Sequence, residues 1–282
     1  MKNIEISGIR IAYELLGDPG ASPIAVTPGG RFSTQSPGVR EFGEALAAGG
    51  RRVLLWDRPN CGASDLCFAG EGEGALQARV LMQLIRALDL GPTALVGGSA
   101  GGRLSLLAAM EDPEMTSHVV SWWISGGIVS LMSLGTFYCC DTAVAARHGG
   151  MEAVAAMPLW KEPLSRNPRN REILLSQDPE DFVSTMQRWA AGYVASADSP
   201  VPGLTPDRLA TLKMPVMILR GSPADIWHPK SITDWVHKHI PHSEYVDPPW
   251  KDDIFAQRMA EGKGLFVDWP QLAPAVLEFT GR

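Results

Sequence analysis

The sequence lacks the features that mark several classes of protein. Lys and Arg number 25 against 31 Asp and Glu, so the net charge is −6, and no basic cluster occurs. Nucleic acid and anionic membranes attract positive patches, so neither is an expected partner. No phosphate-cradling loop of the G-x-x-x-x-G-K-[ST] pattern is present, so a nucleotide site of that kind is not expected.

Cysteine is scarce as well. Only Cys61, Cys67, Cys139 and Cys140 occur, with no C-x-x-C pair and no His–Cys group. Adjacent cysteines are poor disulfide partners, so we expect free thiols and no metal site. Residues 1–6 contain no apolar signal-peptide core, and no apolar stretch is expected to have the length of a membrane span.

These absences together predict a cytoplasmic protein with a small-molecule substrate and no cofactor. A homodimer is one oligomeric state that the composition leaves open. The 282 residues, 45% hydrophobic and 20% charged, are sufficient for one large α/β domain with an inserted subdomain, or for two small domains.

The chain is organised as alternating strand and helix patterns with one interruption. Residues 3–7 and 10–16 predict an antiparallel hairpin, and continuous apolar runs then predict strands of a parallel sheet covered on both faces. We therefore predict a mostly parallel sheet flanked by helices, with a core of residues 1–127 and 208–282 and a helical cap of residues 128–207. The later predicted strands are 23–27, 52–57, 93–96, 118–124, 215–220 and 244–246, and the core helices are 39–48, 76–90, 104–110, 231–239 and 270–279.

The most specific motif is G-x-S-x-G at residues 97–101. It follows the apolar run 93–96 and precedes the helical pattern 104–110. Glycines on both sides of Ser99 relieve the crowding of a tight turn, which presents the hydroxyl at the end of the strand. The helix N-terminus beneath it favours developing negative charge.

With this motif the chain resembles the α/β-hydrolase fold over nearly its whole length. Residues 27–30 occupy the place of the family's His-Gly oxyanion loop, without the histidine. Residues 57–64 are similar to the D-x-x-G-x-G-x-S turn, with Asn60 in place of a glycine. Residues 219–229 are similar to the Gly…Asp…Pro turn that carries the catalytic acid. The family hosts many chemistries, so the likeness specifies the fold more than the substrate.

The resemblance implies a role for each matching position. Ser99 would be the nucleophile and Asp225 the acid, and the backbone N–H of Ala100, with that of Gly30 or Arg31, would form the oxyanion hole. Fixed donors aimed at a developing oxyanion stabilise it more than mobile water does.

Two further observations concern the loops that carry these groups. Gly29 and Gly30 allow the backbone to turn its N–H groups inward. For Asp225, a role as a turn or capping residue before Pro229 stays open.

The family's histidine is missing from its usual place after the last core strand, because residues 247–253 contain none. A serine hydroxyl without a base is a poor nucleophile. His118 and His242 begin predicted strands, away from the carboxyl edge, and His237 and His239 end a predicted helix, where positive charge is favourable without a function. His148 is expected on the surface of the cap, which leaves His228, three residues after Asp225. It is predicted to act as base, to bind substrate or only to pack the turn. Asp252 and Asp253 are alternatives, since burial can raise a carboxylate's pKa.

Some residues carry weaker expectations. Arg31 adjoins the oxyanion loop and is predicted either to hold a substrate carboxylate or to lie solvated on the surface. Trp227 and Trp250 are expected to wall an apolar pocket, with ordinary core packing as the alternative. Three cap residues are candidates for substrate contact, with core packing favoured: Met186, Arg188 and Trp189.

Three functions follow. The first is a hydrolase that uses Ser99 to attack an ester, a lactone or a β-diketone that is cleaved at a C–C bond. The second is a cofactor-free lyase or isomerase in which Ser99 or Asp225 moves protons, favoured by the missing histidine. The third is a ligand-binding protein without catalysis, which would not need a strained serine turn.

Overall fold

The computed structural model describes residues 1–196 and 198–282. Its central element is an eight-stranded sheet in the order β1-β2-β4-β3-β5-β6-β7-β8. The first two strands form the predicted hairpin, β2 runs antiparallel to β4, and β3 to β8 are parallel. The strands are β1 (Lys2–Ile6), β2 (Ile9–Leu16), β3 (Pro23–Thr27), β4 (Arg52–Trp56), β5 (Thr93–Gly98), β6 (Thr116–Trp122), β7 (Val216–Leu219) and β8 (Glu244–Val246).

Helices cover both faces of this sheet, which confirms the predicted fold class. In β3, Ala25 packs into one apolar layer while Ile24 and Val26 pack into the other. Apolar runs without alternation are buried in this way when helices cover both faces. The helices are α1 (Val39–Ala48), α2 (Glu73–Ala87), α3 (Ala100–Glu111), α4 (Gly127–Gly135), α5 (Asp141–Ala155), α6 (Lys161–Arg166), α7 (Arg169–Leu175), α8 (Pro179–Ala191), α9 (Pro206–Leu209), α10 (Lys230–His239), α11 (Ile254–Glu261) and α12 (Ala273–Thr280).

Helices α4 to α9 lie between β6 and β7, where the strand pattern of the sequence stops. They include a third apolar cluster, separate from the two layers of the sheet, around Trp160, Leu174, Phe182 and Met186. This segment coincides with the predicted cap of residues 128–207. Its status as a separate domain stays a prediction.

One expectation about this segment was wrong. Helices α4 and α5 are joined by a π-helical turn, and the resulting Gly127–Ala155 stretch of 29 residues is long and apolar enough to span a membrane, with a mean hydropathy of 1.4 in its 18-residue window. Buried residues make up 33% of that window. Polar residues such as Ser130, Ser133 and Thr136 interrupt the apolar run, so no uninterrupted apolar stretch of that length is present in the sequence. Length and composition alone are weak evidence for a span.

The parallel strands determine where functional residues meet. Strands β3 and β5 to β8 point their carboxyl ends at the same sheet edge. Ligands of open parallel sheets bind at that edge. The loops after β3, β5, β6 and β7 therefore converge there. Helix α11, which no sequence pattern indicated, follows β8 on the same side.

Candidate active site

The turn at Ser99 has the strained geometry that its glycines predict. Ser99 joins β5 to α3 with φ 57° and ψ −122°, a conformation that is rare for a residue with a side chain. A Cβ atom on Gly101 would lie 2.1 Å from the carbonyl oxygen of Thr27, and one on Gly97 would lie 2.6 Å from the Gly101 carbonyl group. Only glycine fits at either position, because backbone atoms occupy the space.

His228 lies between Asp225 and Ser99. Its Nδ1 is 2.8 Å from Asp225 Oδ2, and its Nε2 is 3.0 Å from Ser99 Oγ. Both members of the pair are buried, with His228 2% and Asp225 7% exposed. They come from one loop between β7 and α10, so a single turn brings an acid and an imidazole to the serine.

The environment of Asp225 favours its ionised form. Burial by itself would raise the pKa of Asp225, but the hydrogen bond and charge of His228 act in the opposite direction, as do two backbone N–H groups. These N–H groups, of Trp227 and His228, donate to Asp225 Oδ1 over 2.7 and 3.1 Å. The pKa of Asp225 consequently lies below its ordinary value. An ionised carboxylate at Nδ1 keeps the proton there and leaves Nε2 free to accept one.

Aromatic rings hold the imidazole of His228 in place. Trp123 stacks on it with ring centroids 5.9 Å apart, and Phe255 meets it edge to face at 4.5 Å. Trp250 packs against Trp123 at 5.0 Å. Trp250 thus lies behind the imidazole, and Trp227 contributes a backbone donor to the acid. Neither tryptophan is among the described residues that line the cavity at Ser99.

The loop after β3 brings unpaired N–H groups to the serine. Gly29 packs so closely that a Cβ there would lie 2.9 Å from the Cβ of Ser99, and Gly30 has a left-handed φ of 44°. Among the described residues, no acceptor is present for the backbone N–H of Gly30, Arg31 or Ala100. Ala100 is the first residue of α3, where N–H groups have no partner within the helix.

Arg58 braces this loop, a role that the sequence did not suggest. Its side chain is 1% exposed, and Nη2 donates to the carbonyl oxygens of Gly29, Gly30 and Phe32 over 3.2, 2.6 and 3.3 Å. These bonds hold the carbonyl groups on the side of Arg58. The signal in the sequence was its place as the second residue of the D-x-x-G-x-G-x-S turn.

Arg31 is not on the surface. It is 9% exposed, its Nε lies 3.1 Å from Glu73, and its guanidinium lies over the rings of Tyr138 and Trp160 at 5.0 and 4.5 Å. The interpretation as a solvated surface residue was therefore wrong. Asn60 also donates to Glu73, and with φ 70° it adopts the left-handed conformation of the glycine it replaces. A role of Arg31 towards substrate stays a prediction.

The cavity at Ser99 is small and is closed by side chains from the cap. Its volume is about 30 Å³, and Tyr138 and Tyr193 form part of its wall. Ser125, just after β6, places its Oγ 2.9 Å from Ser99 Oγ. Sequence reasoning missed all three. For Ser125 the signal was its position at the carboxyl end of a predicted parallel strand.

The other candidate residues lie apart from the serine. Asp252 pairs with Arg220 at 3.0 Å, and Asp253 is exposed at the start of α11. Met186 and Trp189 are buried in the cap cluster, and Arg188 donates to the carbonyl oxygen of Gly70. None of these residues is among those lining the cavity at Ser99. Within residues 1–196 and 198–282, no three His, Cys, Asp or Glu side chains group as metal ligands would.

The fold and the serine turn define an α/β hydrolase, and comparison with known proteins agrees. Residues 25–276 match the model of the alpha/beta hydrolase family, so the chain belongs to that family. The predicted family and enzyme class are thereby confirmed. Catalytic roles for individual residues are not tested by this match.

Three relatives illustrate the range of the family. Human "Serine hydrolase BPHL" is 23% identical over 275 residues, which is 95% of this chain and 85% of that protein. A 2-hydroxy-6-oxononadienedioate/2-hydroxy-6-oxononatrienedioate hydrolase of Burkholderia vietnamiensis is 30% identical over 76% of this chain and 74% of its own length. The solved structure of an enol-lactonase from Burkholderia xenovorans is 17% identical, covers 96% of this chain and 100% of that one, and has a TM-score of 0.57.

Proposed function

We propose that the protein is a serine hydrolase that cleaves small-molecule esters or lactones with Ser99, His228 and Asp225 as its triad. The observation that carries this proposal is the contact of 3.0 Å between His228 Nε2 and Ser99 Oγ, with Asp225 at the other imidazole nitrogen. An acid, a base and a nucleophile in this order are the recurring arrangement of acyl-transfer enzymes, whatever their order along the chain.

The proposed reaction has two steps. His228 Nε2 accepts the hydroxyl proton while Ser99 Oγ bonds to the substrate carbonyl carbon, and the protonated imidazole then gives that proton to the leaving alkoxide. Water then gives a proton to the same nitrogen and adds to the acyl carbon. As the carboxylic acid leaves, the imidazolium returns that proton to Ser99 Oγ. Asp225 stabilises the imidazolium in both steps.

The oxyanion of each step would lie against the backbone. The N–H groups of Ala100 and of Gly30 or Arg31 have no acceptor among the described residues and are the proposed donors. Arg58 would hold the loop in the conformation that presents them. One such donor is worth about 10²–10³-fold in rate in other serine enzymes.

The cavity supports a moving cap. At about 30 Å³ the cavity is far smaller than ligand pockets of about 300–1,000 Å³, so a substrate needs more room than it offers. Residues 128–207 supply Tyr138 and Tyr193 to its wall, so we propose that they form a cap that opens to admit the substrate. The free thiols of all four cysteines support a cytoplasmic location.

Cleavage of a C–C bond is the second candidate. It is favoured by the likeness to the Burkholderia vietnamiensis hydrolase over 76% of the chain. The same triad would act on a ketone, with a carbon leaving group that takes a proton. Substrate panels of aryl esters, lactones and β-diketones distinguish the two reactions by their products.

The first test is labelling with a fluorophosphonate, followed by intact mass. Wild type should gain one label, Ser99→Ala should gain none, and the surface variant Ser165→Ala should label like wild type. If folded wild type takes no label and turns over no activated ester, the proposal is wrong. A lyase would then be indicated by turnover of other substrates, and a binding protein by thermal stabilisation without product.

A further inference from the structure

Arg103 is the charged residue of the cavity whose role is unexplained. It lies on α3 one turn after Ser99 and borders the serine cavity. It also borders a neighbouring cavity of about 210 Å³ between α2, α3 and the cap. Tyr193 is shared by the two linings as well, so these two side chains separate the spaces.

The other charged residues around the larger cavity all have partners. Glu73 pairs with Arg31 at 3.1 Å, and Glu111 pairs with Arg79 at 3.6 Å. Glu71 and Arg208 also have partners. Glu71 lies 4.0 Å from Arg188, and Arg208 donates to the carbonyl oxygen of Gly203.

Arg103 differs from them. No hydrogen bond or ion pair of its side chain occurs within the described part of the chain, and its buried Nε has no acceptor. Its nearest aromatic contact is the ring of Tyr193, 5.8 Å from the guanidinium carbon. A partly buried guanidinium without an acceptor costs free energy, and an anion that enters the cavity would remove that cost.

We propose that Arg103 binds a carboxylate carried by the substrate, so that the substrate class is an ester or lactone with a second, anionic group. This inference rests on the proposed function of Ser99. Arg103 lines both the serine cavity and the larger one, so a carboxylate held by it would be a few carbon atoms from the scissile carbonyl. The guanidinium matches a carboxylate in a bidentate contact.

A carboxylate fits this site better than a phosphate monoester. Glu71, Glu73 and Glu111 line the same cavity and would repel a second negative charge. A singly charged anion is repelled less by the same groups. The guanidinium can donate two hydrogen bonds to either anion, so the smaller negative charge of the carboxylate decides between them.

The kinetic test uses mono-4-nitrophenyl esters of succinate, glutarate and adipate. Each is compared with the same compound in which the free carboxylate is converted to its methyl ester. Wild type should prefer the free carboxylate in kcat/KM by about tenfold to hundredfold at the best chain length, less at high salt. Arg103→Met should bring that ratio close to one, and Arg103→Lys should retain part of it. Arg208→Met, which removes the other guanidinium of the cavity lining, is the control and should keep the ratio.

A binding test separates this inference from the proposed function. Glutarate should bind Ser99→Ala protein in calorimetry and fail to bind the Ser99→Ala, Arg103→Met double variant, with thermal melts confirming that both fold. Arg103-dependent binding supports the inference even if no ester is cleaved. Ester cleavage without carboxylate preference overturns it and leaves the hydrolase proposal intact. Loss of the preference in Arg208→Met instead, or tighter binding of a phosphonate analogue, also overturns it.

Discussion

Two loops at the catalytic edge of the sheet contain different kinds of residue. The loop of residues 220–229 after β7 holds Asp225 and His228 within one turn. The loop of residues 247–253 after β8, where the family places its histidine, instead holds Trp250 against Trp123. Both loops reach the same region, but only the first reaches Ser99.

The comparison shows that a base for Ser99 is identified by its distance from the hydroxyl rather than by its position in the chain. Space behind the imidazole is taken by Trp123 and Trp250, and Arg220 ties the second loop down through Asp247 and Asp252. In the proposed mechanism the second loop therefore acts as a support, while the first carries the acid and the base. Four predictions test this division.

The largest effect is expected from His228→Ala. Without the imidazole, Ser99 Oγ keeps the Ser125 hydroxyl as a neighbour but has no basic partner among the described residues. For an activated ester, kcat should therefore fall by about 10⁶-fold. Asp252→Asn removes a carboxylate of the second loop and serves as the control, with activity close to that of wild type. Comparable losses in the two variants would contradict the division of roles. Circular dichroism should show both variants folded.

Asp225→Asn should have the next largest effect. An amide cannot stabilise the imidazolium and allows the wrong tautomer, so kcat should fall by roughly 10⁴-fold. The loss should be smaller than for His228→Ala, because losing the acid costs less than losing the base. Steady-state kinetics at neutral pH measure the loss. If Asp225→Asn retains full activity, Asp225 acts as a turn residue only.

Trp250→Ala tests the support given by the second loop. Removing the indole leaves space behind Trp123 and lets the imidazole shift, so kcat should fall by about tenfold with little change in KM. Trp250→Phe keeps an aromatic ring and should recover most of the rate. If the alanine variant raises KM alone, Trp250 contacts substrate rather than supporting the base.

The smallest effect concerns stability at acid pH. The folded pKa of Asp225 lies below the unfolded value of about 3.9, so its carboxylate contributes stability above that value. The contribution is lost as pH falls through the folded pKa. Urea unfolding from pH 6 to 2.5 should therefore show a steeper loss for wild type than for Asp225→Asn. Parallel curves would mean that the pKa of Asp225 is the same in the folded and the unfolded chain.

The sequence was sufficient to predict the sheet, the serine turn and the loop that carries Asp225. Apolar runs and glycine spacing report backbone requirements, and these depend on local sequence. The contact between His228 and Ser99 joins residues 129 positions apart, so no local pattern contains it. From the sequence, a role of His228 as the base was one alternative beside substrate binding and packing of the turn.

Other features could not be predicted, for a related reason. Arg31 was misplaced because its partner Glu73 is 42 residues away and only the folded chain buries the pair. Ser125, Arg58 and Arg103 likewise depend on which loops converge.

The placement of Asp225 and His228 in one loop has a consequence for how this enzyme can be cut and rejoined. New chain ends opened within residues 247–253 would leave both side chains on a single uninterrupted segment from β7 to α10. In a relative whose histidine follows β8, a chain break between the loop after β7 and the loop after β8 would put the acid and the base on different fragments. Here a transfer of the pair to another scaffold would need one short peptide, with Trp123 and Phe255 supplied to hold the imidazole.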